Sequence, residues 1–374
     1  VFNNQSPYSL KNIQTSIKTH MKITEIDKNF AEKTVAETSG TEYKIPCKPF
    51  ALYGCYYDER YGFIKIDPET AKQISDGVSW GSRCTAGVRL TFSTDSHFLG
   101  ISAKLYAKCL MNHMAFVGSA GFTLCETIDG KERFIHNFVP DMDVDNSEFS
   151  SKAQLCGGKM RDYVLYFPLY SGVERLTIEL ESGAKLKEYK KYEHKKKIMY
   201  YGSSITQGGC ASRADNCYQS LVSEWTNTDY IIYGFSGNAK GEQKMAEILR
   251  DTPCDLFVCD YDHNAPDAEH LRKTHLELYK TFRSKRENAN IPVVFLSKPD
   301  GTVLPDFAER YDIIKATYDY ALSVGDKNVR IIRGTDLFPE KLREHCTVDG
   351  THPTDLGFWF MAKGIYEVVS GLLK

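Results

Sequence analysis

An all-β sandwich or jelly roll, followed by an α/β domain whose parallel sheet is flanked by helices, is the architecture the sequence predicts. Three observations carry that reading. From residue 198 onward, continuous apolar runs alternate with helical periods, the texture of βαβ units with strands buried on both faces. Before residue 185, short β-branched or alternating runs recur between turn signals, and few helical periods appear. The chain has 374 residues, enough for two domains that each bury a core.

The β-rich part, 1–185, takes its strands at 50–57, 86–93, 98–105, 121–127, 134–138, 162–168 and 174–180. Ser93-Thr94-Asp95-Ser96, Asp129-Gly130-Lys131 and Ser182-Gly183 supply turns between them. A basic stretch follows, with Lys185, Lys187, Lys190, Lys191, Lys195, Lys196 and Lys197 interrupted by Glu188, Tyr189, Tyr192 and Glu193. Charge runs mostly mark solvated surface, so 186–197 reads as a linker and not as a polyanion site. The second domain then spans 198–374. Its strands are expected at 198–201, 230–235, 256–260, 292–296 and 329–333, with helices at 216–227, 240–251, 267–288, 303–324 and 355–373.

Composition narrows the class. At 42% hydrophobic and 26% charged residues the chain is a globular protein and not a disordered one. A net charge of −2 provides no global field for nucleic acid. No run of 18 apolar residues exists to span a membrane. The segment from Val1 to Thr19 is polar and lacks the apolar core of an export signal. The first residue is Val, so a removed leader stays open. Eleven cysteines is an odd number, and several, such as Cys109, Cys125 and Cys259, sit in apolar strand-like runs. Reduced thiols in a cytoplasmic protein are the expectation. No cysteine or histidine grouping has zinc-ligand spacing, so no metal is expected.

In a parallel α/β sheet the working groups lie at the carboxyl ends of the strands. Four segments fall there: Gly202-Ser203-Ser204, then Gly234-Phe235-Ser236-Gly237-Asn238, then Asp260 to Pro266, and finally Asp349-Gly350-Thr351-His352-Pro353 before the last helix. A serine nucleophile needs a base within hydrogen-bond reach and a third group to orient that base. Ser204 offers the hydroxyl, and His352 is the best base because Asp349 precedes it by three residues. Thr354 or Asp355 caps the helix that follows. Acyl transfer also needs oxyanion donors. The N–H groups of Ser204 and Gly237 and the side-chain amide of Asn264 are the candidates. Each residue alone also has a plain structural reading, as a turn glycine, a loop asparagine or a cap-loop histidine. Their order along the chain is what favours chemistry.

Taken together, Gly-Ser-Ser-Ile-Thr-Gln-Gly, Gly-Phe-Ser-Gly-Asn, His-Asn and Asp-Gly-Thr-His-Pro resemble the four blocks of the SGNH (GDSL-type) hydrolases, over roughly 197–374. The resemblance implies that Ser204 is the nucleophile, that Asp349 and His352 complete its triad, and that Ser204, Gly237 and Asn264 form the oxyanion hole. One departure is visible: the family's Gly-Asp-Ser is Gly202-Ser203-Ser204 here, which leaves Ser203 as an alternative nucleophile. A β-rich domain ahead of an SGNH domain is similar to bacterial carbohydrate esterases that deacetylate plant glycans. The stretches 87–95 and 165–173 carry that part of the resemblance.

The resemblance thus implies a serine esterase that removes O-acetyl groups from glycan oligosaccharides, mannan first and xylan next, without a metal or organic cofactor. Trp80, in a polar loop between Ser79 and Gly81-Ser82-Arg83, and Tyr261, His263 and Trp359 are its candidate sugar contacts. An acetylated oligosaccharide is the expected partner, with neither nucleic acid nor membrane, and a homo-oligomer is compatible with the sequence. A lipid or thioester acylhydrolase and a non-catalytic glycan-binding protein are the rival readings.

Overall fold

A computed structural model of the chain describes residues 23–27, 40–142, 146–192, 194–300 and 305–373. The polar N-terminal stretch 1–19, Glu193 and positions 303–304 of an expected helix lie outside them. Residues 38–374 form one compact unit.

The first part is antiparallel. One sheet runs Gly40–Ile45, Val173–Glu181, Phe98–Leu105, Glu148–Gln154. The other runs Leu186–Lys187, Arg89–Thr94, Arg161–Tyr166, Phe122–Ile128, Lys131–Phe138, with Ala51–Tyr53 also on the Arg89 strand. Inward residues of both sheets, among them Leu99, Ile101 and Ile178 from one and Leu90, Phe92 and Leu165 from the other, share a core. Alternation explains this: Val173–Glu181 buries every second residue along much of its length.

Three departures have physical causes. Gly40–Ile45 and Glu148–Gln154 are edge strands whose sequences are too polar to read as strands, and their neighbours' backbones recruit them. Asp76–Ser82, expected as a polar loop, is a helix because the Ser75 hydroxyl accepts from the Val78 N–H at 3.1 Å and Val78 is buried. The 186–197 stretch is not a solvated linker throughout. Leu186–Lys187 pairs with Arg89–Thr94, the next strand begins at His194, and the Lys191 ammonium is buried against Glu132.

The second part contains strands β1 (His194–Gly202), β2 (Thr228–Gly234), β3 (Leu256–Asp260), β4 (Val293–Leu296) and β5 (Val329–Ile332). All pair in parallel, in the order β2-β1-β3-β4-β5. The helices are α1 (Ser204–Gln207), α2 (Tyr218–Thr226), α3 (Gln243–Asp251), α4 (Ala268–Arg283), α5 (Phe307–Ser323) and α6 (Asp355–Leu372). Successive β1 residues feed opposite cores. Ile198 and Tyr200 pack with Tyr218 and Val222 of α2 and Phe358 and Met361 of α6. Met199 and Tyr201 pack with Met245 of α3, Leu271 of α4 and Ile313 of α5. The sheet is therefore covered on both faces, which is why its strands read as unbroken apolar runs.

That strand order places a topological switch between β1 and β3, because the connections leaving them run to opposite sides. Gly202 pairs with Gly234 on one side and with Asp260 on the other, so the carboxyl ends of β1, β2 and β3 share one edge. Among the described residues, no helix is long and apolar enough to cross a membrane.

Candidate active site

The turn after β1 is where the two serines separate. Ser203 is the N-cap of α1: its hydroxyl accepts from the Ile205 N–H at 3.2 Å, and the residue is fully buried. Ser204 is the first helical residue and remains 8% exposed. Its N–H is one of the donors a helix start leaves unpaired. The Asp260 backbone carbonyl accepts from the Ser203 N–H at 3.3 Å.

His352 approaches from the other end of the chain. The 349–352 turn is closed by Val348 N–H donating to the His352 carbonyl at 2.9 Å and by a bridge between Thr347 and Pro353. Within it, Asp349 Oδ1 accepts from the amides of Thr351 (3.0 Å) and His352 (2.8 Å). Its Oδ2 lies 2.7 Å from His352 Nδ1. A carboxylate there holds the imidazole proton on Nδ1, which leaves Nε2 as the acceptor for the Ser204 hydroxyl at 2.8 Å. Of the two serines, Ser204 is the one bonded to the histidine. Thr354 caps the helix that follows, accepting from the Gly357 N–H at 3.3 Å.

Electrostatics suit this arrangement. Burial pushes Asp349 up, but the hydrogen bonds from the His352 amide and ring, the His352 charge and the Thr351 amide outweigh it and bring the carboxyl down to about 2. Beneath the serine turn the situation is opposite. Burial, then the nearby Asp262, drives Asp260 well above the carboxylate range. Its carboxyl accepts from the hydroxyls of Thr206 (3.1 Å) and Tyr218 (3.2 Å) and so braces α1 from below.

The second and third segments meet beside the serine. Gly237 has φ +70°, a conformation that L side chains rarely adopt. With the Asn264 amide oriented to satisfy both of its atoms, Asn264 donates to the Phe235 carbonyl at 3.3 Å and accepts from the Gly237 N–H at 3.1 Å. An amide nitrogen carries two protons, so one remains for a ligand. Arg310 secures the Asn264 turn by donating to the carbonyls of Asp262 (2.6 Å) and Ala265 (3.0 Å).

The expected sugar contacts fare differently. Tyr261 is 1% exposed, its hydroxyl is bonded to Thr274, and its ring lies against Tyr201 and His275, so it is a core residue and not a stacking platform. The His263 side chain is 6% exposed, with Nε2 3.4 Å from Asp300, and Asp300 in turn accepts from the Thr351 hydroxyl at 3.4 Å beside His352. Trp359 is exposed, but its ring meets Trp225 edge-on and carries Lys363 over it, so it serves helix packing. Trp80 is half-buried on the Asp76–Ser82 helix, whose Gly77 and Gly81 lie against Asn238 and Phe235.

Four residues escaped the sequence reading. Asp260 could have been found, since an acidic residue closing a buried strand is an anomaly that asks for a partner. Gln207, Tyr170 and His113 gave no such signal. Gln207 accepts from the Ser236 N–H at 3.0 Å and donates to the Leu169 carbonyl at 3.3 Å. Tyr170 donates its hydroxyl to the Ser204 carbonyl at 3.4 Å, and the His113 ring lies 5.4 Å from that of His352.

A parallel sheet with a serine, a histidine and an aspartate linked at its switch point is the arrangement of an SGNH-type hydrolase, and the second part of the chain is of that type. Residues 195–370 match the GDSL-like lipase/acylhydrolase family. Residues 48–186 match the N-terminus of SGNH-hydrolase-type esterases. Among solved structures, the chain is similar to a Bacteroides ovatus ATCC 8483 protein assigned as a GDSL-like lipase. The two are 25% identical over 90% of this chain and 98% of that one, with a TM-score of 0.80. The salicylyl-acyltransferase SsfX3 from a tetracycline biosynthetic pathway is 18% identical over 89% and 97% of the two chains, with a TM-score of 0.73. The acetyl xylan esterase Est2A of Butyrivibrio proteoclasticus is 13% identical over 89% and 99%, with a TM-score of 0.56. At those identities the last two share the fold. No curated protein matches the chain.

Proposed function

We propose that this hydrolase removes O-acetyl groups from plant-glycan oligosaccharides, mannan in preference to xylan. Ser204 is its nucleophile, His352 its base and Asp349 the group that orients the base. The observation that carries the catalytic part is the unbroken relay from Ser204 Oγ to His352 Nε2 (2.8 Å) and from Nδ1 to Asp349 (2.7 Å).

In that reading Ser204 Oγ attacks the acetyl carbonyl as its proton passes to His352 Nε2. The carbonyl oxygen becomes an oxyanion, met by the Ser204 N–H and the remaining Asn264 amide proton, and by the Gly237 N–H once it turns from the Asn264 oxygen to the substrate. Collapse breaks the bond to the sugar oxygen, which takes the proton from His352 and leaves as a hydroxyl. Water, deprotonated by His352, then attacks the acetyl-serine, and acetate departs as Ser204 regains its proton. The low-lying Asp349 remains a carboxylate and stabilises the imidazolium formed at each half-reaction.

The choice of a sugar ester rests on the β-rich domain ahead of the catalytic one and on Trp80, half-exposed on the helix packed against 235–238. The test is mass spectrometry of acetylated manno- and xylo-oligosaccharides before and after incubation. Loss of acetyl groups from the manno-series first is the expected result. Untouched glycans together with faster hydrolysis of p-nitrophenyl octanoate than of the acetate would replace the proposal with a lipid or thioester acylhydrolase.

A further inference from the structure

Both ring nitrogens of His352 are engaged, one by Ser204 and one by Asp349, yet two further metal-binding side chains stand beside this ring. His113 comes from the exposed segment between Phe98–Leu105 and the helix Phe116–Ala120, and its ring lies 5.4 Å from that of His352. Cys210 follows α1 in the chain, at φ +75°. One ligand atom from each of His113, Cys210 and His352 lies within 4.8 Å of the others. Zn²⁺ bound by thiolate and imidazole at about 2.0–2.3 Å keeps its ligand atoms roughly 3.3–3.8 Å apart, so an inward shift of about 1 Å would close the set. One thiolate and two imidazoles suit Zn²⁺ among the divalent ions, and three protein ligands leave a fourth position for water. The three residues are far apart in the sequence, which is why no ligand spacing announced them.

We propose that His113, Cys210 and His352 form an inhibitory site for Zn²⁺ or a similar soft divalent ion. The regulatory half of this proposal rests on the reading of His352 as the base for Ser204. Whichever nitrogen of His352 binds the ion, the relay loses either Ser204 or Asp349, so an occupied site is an inactive enzyme.

The experiment compares the full chain with Cys210→Ser and His113→Ala, neither of which is assigned a part in ester hydrolysis. Co²⁺ is titrated first, and the near-ultraviolet thiolate-to-Co²⁺ charge-transfer band is recorded. The band should appear in the parent, vanish in Cys210→Ser and require about 10-fold or more Co²⁺ in His113→Ala, since even an outer-shell partner contributes that much. A missing band in the parent, or one that persists in Cys210→Ser, overturns the site whatever the enzyme hydrolyses. Zn²⁺ is then titrated against p-nitrophenyl acetate hydrolysis. The parent should lose activity and regain it with EDTA, while each variant, measured against its own metal-free rate, should need about 10-fold or more Zn²⁺ for inhibition. Equal Zn²⁺ sensitivity in all three proteins overturns the regulatory reading.

Discussion

Replacing Asp349 with Asn tests the proposed relay at its most informative point. The Asn Oδ1 can still accept from the amides of Thr351 and His352, as Asp349 does at 3.0 and 2.8 Å, so the turn is kept. The position facing His352 Nδ1 is different, because an amide NH₂ donates there. His352 must then carry its proton on Nε2 and offer a donor, not an acceptor, to Ser204. In the serine-protease template the same exchange lowers kcat about 10⁴-fold. Here the Asp349 side chain is 37% exposed, so water screens part of its charge. The expected loss in kcat is therefore about 10²- to 10⁴-fold, roughly 3–5 kcal/mol of barrier, with KM little changed. Steady-state hydrolysis of p-nitrophenyl acetate measures it, with Ser204→Ala as the floor. Stability follows a second, independent course. Asp349 titrates at about 2 in the folded chain, below the ~3.9 of an unfolded aspartate, so its contribution is present above pH ~4 and lost as pH falls towards 2. The difference in melting temperature between parent and variant should be flat from pH 7 to 4 and shrink below that. A variant within threefold of parental kcat refutes the relay.

Three further substitutions probe the surroundings. Ser203→Ala should keep most of the activity and lose about 1 kcal/mol of stability in a denaturant midpoint, as a lost N-cap does, whereas Ser204→Ala should release no acetate. If the two phenotypes are exchanged, the nucleophile has been misassigned. Gly209→Ala would place a methyl carbon 2.8 Å from the Tyr170 hydroxyl, 2.9 Å from the Ser204 carbonyl and 3.2 Å from His352 Cδ2. Displacing the base by a fraction of an ångström should lower kcat about 10- to 100-fold, and the clash with the Ser204 backbone carbonyl should lower the melting temperature as well; an unaffected kcat would show that the site is looser than described. Arg89→Met strips a fully buried guanidinium from Asp229 (2.5 Å) and from the Tyr230 carbonyl (3.1 Å). Leaving a buried charge unpaired costs about 3–5 kcal/mol, here at the lower end because Lys197 stands 3.4 Å from Asp229. An unchanged urea midpoint would contradict that assignment.

The parallel sheet was legible because burial on both faces writes itself into the strands as apolar runs, and Leu256–Asp260 agrees with the sequence reading to the residue. The four strand-end segments were legible because a parallel sheet obliges them to share an edge. What escaped was of two kinds. Edge strands such as Glu148–Gln154 take their conformation from a neighbour's backbone, which no local pattern records. Side chains whose role depends on long-range packing were misread for the same reason. Tyr261 looked like a rim aromatic because it follows the end of β3, but its ring turns inwards between Tyr201 and His275. Trp80 was expected in a loop because Ser79, Gly81 and Ser82 surround it, yet Ser75 supplies a cap and the segment closes into a helix.

The same long-range packing changes how the β-rich region should be regarded. Its Leu169 and Tyr170 belong to the core that holds Tyr200 and Ile205, directly under the serine turn. The Leu169 carbonyl holds Gln207, and Gln207 in turn holds the Ser236 N–H next to Gly237. Tyr170 reaches the carbonyl of Ser204 itself, and Arg89 is buried against β2. A substrate-recruiting module on a tether would leave the α/β domain's own surface intact and its active-site turn self-supporting. Here the turn bearing Ser204 and the segment bearing Gly237 are pinned through side chains and carbonyls of the preceding region, and a buried charge crosses the junction. The β-rich part is therefore a structural half of the catalytic body: a sequence change at Leu169 or Tyr170 acts directly on the segment that carries Ser204, and one at Arg89 acts on the start of β2.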